Sequence, residues 1–557
     1  MHPATPNIAT ELTRRDHAAS GATGTQRRLR RYVAAVVCCA AASLAHAQDP
    51  IPGSLDTTPS PGFAAGTGKV LNLAIGSGND QANAVAVQPD GKIVLAGHCF
   101  SGSNFDFCAA RLNVDGTLDT SFNGPSGTGN GKFLLPIGPA TDQANAVALQ
   151  ADGKIVLAGH CSDGNNFDFC VARLNTDGTL DTSFNGPSGT GAGQFLLPIG
   201  SATDQATAVA LQPDGKIVLA GYCVDSGNFD FCVARLNTDG TLDTSFNGPS
   251  GTGAGKFVLP VGTSSDQAAA VALQLDGKIV LAGACINGAT PDLCVARLNP
   301  DGSLDTSFNG PSGTGAGKFL LPVGPTSDQA NAIALQPDGK IVLAGTCYSG
   351  SNFDFCAARL NTDGTLDTSF NGPSGSGNGK FLLPIGTASD QATAVAVQPD
   401  GRIVLAGYCY NGSNNDFCVA RLRSDGALDR RFDGPSGTGN GQFLLPMGAN
   451  TDQATAMALQ PDGKIVLAGH CFSGADFDFC AARLNGGSFG AHECSPDYDG
   501  DGSVLATTDA LMLTRIALGI TGEAVIGGIT FAANAARKTW PDIRSFLVNQ
   551  CGMTIAP

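Results

Sequence analysis

The sequence predicts an all-β fold, a seven-bladed β-propeller closed by its N-terminal strand, with a small α-helical calcium-loop module at the C-terminal end. Three observations predict it. A 62-residue unit recurs seven times without insertion or deletion, its Asp-Gln dipeptide beginning at Asp80, Asp142, Asp204, Asp266, Asp328, Asp390 and Asp452. Each unit reads as short apolar strands punctuated by turn residues, with no helical period. The two ends of the array are complementary parts of one unit.

Within the first unit, Ala84 to Gln88 is a strand, Pro89-Asp90-Gly91-Lys92 a turn and Ile93 to Gly97 the returning strand. Proline sets φ at the first turn position and glycine accepts the left-handed conformation, so the pair reads as a hairpin. A third strand, Phe107 to Asn113, leads through Val114-Asp115-Gly116 into Thr117 to Phe122. After a Gly/Ser loop comes an outer strand, Lys132 to Ile137. Unit seven stops after Leu484-Asn485, and its missing part stands near the N-terminus, in Leu55-Asp56-Thr57 and Gly68 to Gly76. An open stack would favour polar capping repeats, whereas a closed ring needs this split.

The composition agrees. The 557 residues include 75 Gly and 30 Pro, and only 14% are charged, against about 25% in ordinary domains. A net charge of -16 argues against nucleic acid as a partner. No stretch approaches the roughly 20 apolar residues of a membrane span. Eighteen Cys point to an oxidising compartment. Arg27, Arg28, Arg30 and Arg31, the apolar run Tyr32 to Leu44 and Ala45-His46-Ala47 form a secretory signal over residues 1–47. The expected location is therefore secreted: extracellular, periplasmic or on the cell surface.

The repeat, with DQANAVAVQPDGKIVLAG at 80–97 and ARLNVDGTLDTSFNG at 110–124, resembles the delta-60 repeat family of bacterial proteins over residues 54–486. The resemblance implies a propeller and brings no activity with it. Two cysteines per copy depart from the family pattern. Cys99 is followed by Cys108, Cys161 by Cys170, Cys223 by Cys232, Cys285 by Cys294, Cys347 by Cys356, Cys409 by Cys418 and Cys471 by Cys480, each pair nine apart. Flanking the loop between the second and third strands, they are expected to close it as disulfides, and Cys494 with Cys551 to tie the C-terminal module.

Comparison among the copies shows what each blade requires. Asp106, Asp168, Asp230, Asp292, Asp354, Asp416 and Asp478 recur two positions before the second Cys. With the Asp-Gln aspartates they make either an acidic, cation-attracting rim or a set of acceptors for backbone N–H groups. Arg111 and its six equivalents are expected to pair with the Asp of the Leu-Asp-Thr run. His98, His160 and His470 share a position read as loop, where Tyr222, Ala284, Thr346 and Tyr408 stand in the other copies. Phe100, Phe105 and Tyr410 are loop aromatics able to touch a partner, with Phe105 expected to pack between blades. The propeller region contains neither Glu nor Trp, and blades this uniform offer little of the local asymmetry that catalysis needs.

Residues 491–557 change character. Asp497, Asp499 and Asp501 alternate so that a tight loop can converge three oxygens on a hard cation, with the Ser503 carbonyl and Asp509 completing the shell. Calcium is the cofactor this implies. The stretch DYDGDGSVLATTDALMLTRIALG resembles one half of a dockerin or an isolated EF-hand-like repeat, although Thr508 stands where an acidic ligand is expected. Helices are expected over Ala510 to Leu518 and Trp540 to Asn549, with Trp540, Ile543, Phe546 and Leu547 packing inward.

The expected function is a monomeric, non-catalytic binding or interaction scaffold for an extracellular protein or glycan. Two alternatives stand beside it: an extracellular hydrolase or lyase at the propeller channel, and cell-surface or cohesin-type attachment through the C-terminal module.

Overall fold

The computed structural model describes residues 51–57, 62–127, 129–286, 288–313, 315–375, 377–437 and 439–487, together with 512, 525–527, 529–530 and 538–543. Among these, 28 strands form seven four-stranded antiparallel sheets, the blades of a β-propeller. Blade one contains Asp80–Val87, Ile93–Phe100, Phe105–Leu112 and Lys132–Leu135, from the inner strand outward. Blade seven combines Asp452–Leu459, Ile465–Phe472 and Phe477–Leu484 with Lys69–Leu73, which supplies its outer strand.

The blades bury both faces, so their central strands are apolar throughout rather than alternating. Ile93, Val94, Leu95 and Ala96 are all wholly buried. Val94, Ala96, Phe107 and Ala109 pack on Ala144, Ile155, Leu157 and Cys161 of blade two. The other face of the same sheet, Ile93, Leu95 and Cys99, packs on Val466, Ala468 and Phe479 of blade seven. The first blade therefore touches the last, and the ring is closed.

Two sequence devices set the inner strand. Gly91 has φ 84° in the hairpin turn, where Asp90 Oδ1 accepts the Lys92 N–H at 3.1 Å. The register then slips between Ala82 and Ala84, leaving Asn83 as a bulge. A Cβ at Gly97 would lie 1.9 Å from the Gln81 carbonyl oxygen, which is why glycine occupies this position in every copy. The bulge aims Asn83 at the next blade, whose Ala144 carbonyl accepts its Nδ2–H at 2.9 Å. Asn145, Thr207, Asn331 and Thr393 make the equivalent bond, and Thr455 donates to the Ala82 carbonyl across the closure.

Thr117 to Phe122 returns beside the third strand without forming a strand of its own. It contributes one bridge, Leu112 to Leu118, before Asp119 turns it back onto Arg111. The Asp119 N–H donates to the Arg111 carbonyl at 2.8 Å, and Arg111 Nε donates to Asp119 Oδ2 at 2.7 Å. This is the pairing expected for the recurring arginine. The guanidinium also lies 4.4 Å over the Phe122 ring and donates to the Thr176 carbonyl of blade two. Lys92 approaches the same carboxylate at 3.1 Å. At the closure Arg483 repeats the set with Asp56, Phe63 and the Val114 carbonyl.

Residues 540–543 form a helical turn in which Trp540 and Ile543 are buried and Thr539 Oγ1 donates to Asp542 Oδ2 at 2.6 Å. The signal segment, the calcium-loop residues Asp497, Asp499, Asp501, Ser503 and Asp509, Cys494, Cys551, Phe546 and Leu547 lie outside the described residues.

Because Asp56 is fully buried, Asp56→Ala strands a buried guanidinium. Urea unfolding is expected to show a loss of about 3–5 kcal/mol. A change below about 1 kcal/mol would mean that the N-terminal strand closes the ring without this pair.

Candidate functional site

Two ends of the ring carry distinct chemistry. At one, the register places Asp80, Cys99 and Asp106 in a row across the sheet. The cysteines do not flank a loop, as the sequence reading expects. They sit inside the strands, since Ile93–Phe100 and Phe105–Leu112 pair as far as Phe100 with Phe105. Cys99 and Cys108 form the expected disulfide, as do Cys161 and Cys170, Cys223 and Cys232, and Cys285 and Cys294. Cys347 and Cys356, Cys409 and Cys418, and Cys471 and Cys480 complete the set, and all seven have Cα–Cα distances of 5.7–5.8 Å. The second cysteine of each pair, Cys108, Cys170, Cys232, Cys294, Cys356, Cys418 or Cys480, is wholly buried in the third strand. Its partner is buried in the second strand, so the bridge is part of the apolar core between blades as well as a hairpin closure.

The aspartates do not form a solvent-facing rim. Asp80 and its equivalents are at most 1% exposed, and Asp80 Oδ2 accepts the N–H groups of Ile75 and Gly76 at 2.6 and 2.9 Å. The first-strand aspartate thus caps the connection entering its own blade. Burial pushes its carboxyl above the usual range, and these two bonds offset only part of that. The third-strand aspartates are nearly as buried, apart from half-buried Asp292. Burial first, then Asp204 of the next blade and Asp163, raise Asp168 to about 6. Burial, then Asp266 and Asp225, do the same for Asp230, also to about 6.

The histidines are strand residues. His98 is 8% exposed and stands edge-on to Phe105, with ring centroids 5.2 Å apart; Asn83 Nδ2 lies 3.1 Å from its Nδ1. Burial, then His470 and His160, lower it to about 4. Phe105 therefore packs against the histidine of its own blade, and Phe107 fills the seam between blades.

The opposite end, where the Pro-Asp-Gly hairpins turn, contains a cavity of about 820 Å³ at blades four to six. Leu273, Gln274, Leu275, Leu335, Gln336 and Gln398 are among the residues that line it. Leu275 is fully exposed, in a turn position that holds proline in five other copies and Ala151 in the remaining one. Blade four departs from its siblings elsewhere too: Ala269 replaces the bulge donor, Ala284 the histidine, tyrosine or threonine, and Leu293 the seam phenylalanine. Alignment of the copies at this turn would have exposed Leu275 from sequence, but its cavity depends on three blades meeting.

The raised carboxyls have a defined pH signature. A folded-state value near 6 against an ordinary 3.8 gives stability that is present below about 3.8 and lost as pH rises through about 6. Asp168→Asn is therefore expected to raise the melting temperature at pH 7.5 and leave it unchanged at pH 4. An equal shift at both values would show that the charge of Asp168 is not what the fold opposes.

Six segments, 88–122, 150–184, 212–246, 274–308, 336–370 and 398–432, match the model described as Domain of unknown function (DUF5122) beta-propeller. Each begins before a hairpin turn and ends at the phenylalanine under the arginine. No curated protein matches the chain. Among solved structures, it is similar to a streptogramin B lyase at 12% identity, covering 75% of this chain and 98% of that one, with a TM-score of 0.43. It is also similar to Sqt1 of Chaetomium thermophilum at 15%, covering 76% and 100%, with a TM-score of 0.37. Drosophila Plexin A in complex with Semaphorin 1b follows at 11%, covering 74% and 87%, with a TM-score of 0.37. Likenesses this distant carry no information about activity. The repeated family match and the closed ring of seven blades together make the chain a β-propeller repeat protein.

Proposed function

We propose that the protein is an exported, non-catalytic binding scaffold that engages an extracellular protein through the turn end of blades four to six. The observation that carries this reading is Leu275, an aliphatic side chain fully exposed beside a cavity, where the other copies have proline or alanine. Burying such a side chain against a partner contributes about 1.5–3 kcal/mol. The remaining blades repeat one solution to packing, in which the recurring arginine is held by its own aspartate and by a main-chain carbonyl of the next blade. Seven buried disulfides support export, because such bonds form and persist mainly in oxidising compartments, extracellular or periplasmic. A calcium-stabilised C-terminal module held by Asp497, Asp499, Asp501, Ser503 and Asp509 completes the proposal, with attachment of the chain to a surface as its role.

A binding screen against extracellular proteins and glycans, followed by Leu275→Pro, tests the scaffold. The substitution restores the turn found in five copies, so the melting temperature is expected to hold while partner affinity falls at least tenfold. Unchanged affinity removes this surface, and turnover of a glycan in the same screen replaces the scaffold with a hydrolase or lyase. For the module, calcium is expected to raise the melting temperature of the full chain, and Asp499→Ala to reduce that gain. An unaltered response removes Asp499 as a ligand.

A further inference from the structure

At the loop end, the residue that follows the first cysteine of each pair divides the ring in two. Blades five, six, seven and one carry Tyr348, Tyr410, Phe472 and Phe100 there, whereas blades two, three and four carry Ser162, Val224 and Ile286. Because blade seven packs on blade one, the four aromatic positions are consecutive around the ring. The fold does not require them, since the same hairpin pairs over serine, valine and isoleucine.

All four rings are half-buried. Three stand edge-on to a second ring across the hairpin, Phe100 to Phe105, Tyr348 to Phe353 and Phe472 to Phe477, with centroids 5.6, 5.5 and 5.3 Å apart. Phe353 is 36% exposed, so the pair in blade five keeps one ring open to solvent. Tyr222 and Tyr408, two other strand tyrosines, donate to Gln205 and Gln391 Oε1 at 2.5 and 2.6 Å. The hydroxyls of Tyr348 and Tyr410 have no such partner among the described residues. The adjoining loops in blades one, five and six are uncharged: Ser-Gly-Ser-Asn at 101–104 and 349–352, and Asn-Gly-Ser-Asn at 411–414. Ser349 and Ser351 both donate to Asn352 Oδ1 at 2.9 Å, which fixes the loop beside the Tyr348 ring. Ser101 and Ser103 hold Asn104 in the same way, at 2.8 and 3.2 Å.

We propose that this arc of four loops binds a neutral polysaccharide. An accessible aromatic ring offers an apolar surface to the C–H groups of a sugar, and hydroxyl and amide groups beside it exchange hydrogen bonds with the sugar hydroxyls. Equivalent positions on consecutive blades suit a polymer that repeats its own unit, whereas the surface of a folded protein is aperiodic. Charge points the same way. No Lys or Arg occurs in these four loops, and Asp106, Asp354, Asp416 and Asp478 follow them directly, so an anionic chain is repelled. Contacts that are weak singly combine along the chain, because each bound unit holds the next at high local concentration. The arc lies at the opposite end of the ring from Leu275 and is separate from the protein-binding surface proposed there.

The full chain is tested for retention on insoluble cellulose, xylan, mannan and β-1,3-glucan, with alginate beads as the anionic comparison. Retention on at least one neutral polymer and not on alginate is expected. Calorimetry with oligosaccharides of the retained polymer is expected to give at least tenfold tighter binding for six sugars than for two. Tyr348→Ser combined with Tyr410→Ser installs the blade-two residue at both positions, so the melting temperature is expected to hold while affinity for the six-sugar chain falls at least tenfold. Ser162→Tyr, which extends the arc to a fifth blade, is expected to raise it, and Leu275→Pro to leave it unchanged. Retention on none of the neutral polymers, equal retention on alginate, affinity independent of chain length, or affinity unchanged by the double serine substitution each overturns the proposal. A protein partner, and no glycan, lost on that double substitution overturns it as well.

Discussion

The ring is held at each seam by one buried guanidinium. Arg111 joins its own sheet to the turn that follows through Asp119, lies over Phe122, and crosses to the Thr176 carbonyl of the next blade. Burial raises the Asp119 carboxyl, but hydrogen bonds from Ser121, Lys92 and Arg111 outweigh it and hold the group well below the ordinary range. The carboxylate therefore stays charged opposite its cation. A charge buried this deeply is tolerable only while every partner is present, so the cluster demands a complete unit on both sides. Seven identical demands around a circle leave no free end, and Asp56 meets the one that the last repeat cannot.

The other end of each blade obeys the reverse logic. There the carboxylates are buried with few donors, and their charge opposes folding instead of supporting it. Disulfides within the same apolar layer compensate by tying the two central strands together, each contributing about 2.5 kcal/mol in the chain-entropy account. The fold thus combines an electrostatic clamp at the turn end with a covalent one at the loop end.

Much of this was legible in the sequence because the repeat turns one local signal into seven. Pro89-Asp90-Gly91 announces a hairpin from its own dihedral preferences, and Leu55-Asp56-Thr57 announces closure because it completes a unit cut short at Asn485. Cysteine pairing followed from spacing, but its setting did not. Placing Cys99 and His98 inside a strand requires knowing that pairing continues to Phe100 and Phe105, a register that no local preference specifies. The calcium loop depends on local carboxylate spacing alone, so it could be proposed from sequence without any of these contacts.

The N-terminal strand has a consequence for how the molecule is made. Arg483 and Asp56 are separated by 427 positions, so closure must wait until almost the whole array has emerged. Each cysteine pair spans only nine positions and can oxidise as soon as its own hairpin exists, without any later blade. Covalent locking is therefore early and local, whereas joining the ring is late and long-range. During the interval, Lys69–Leu73 and the open side of Phe477–Leu484 are unpaired edges, each complementary to the other end of any sibling chain. Chain concentration during folding thus becomes a determinant of whether the product is a single ring or chains linked head to tail.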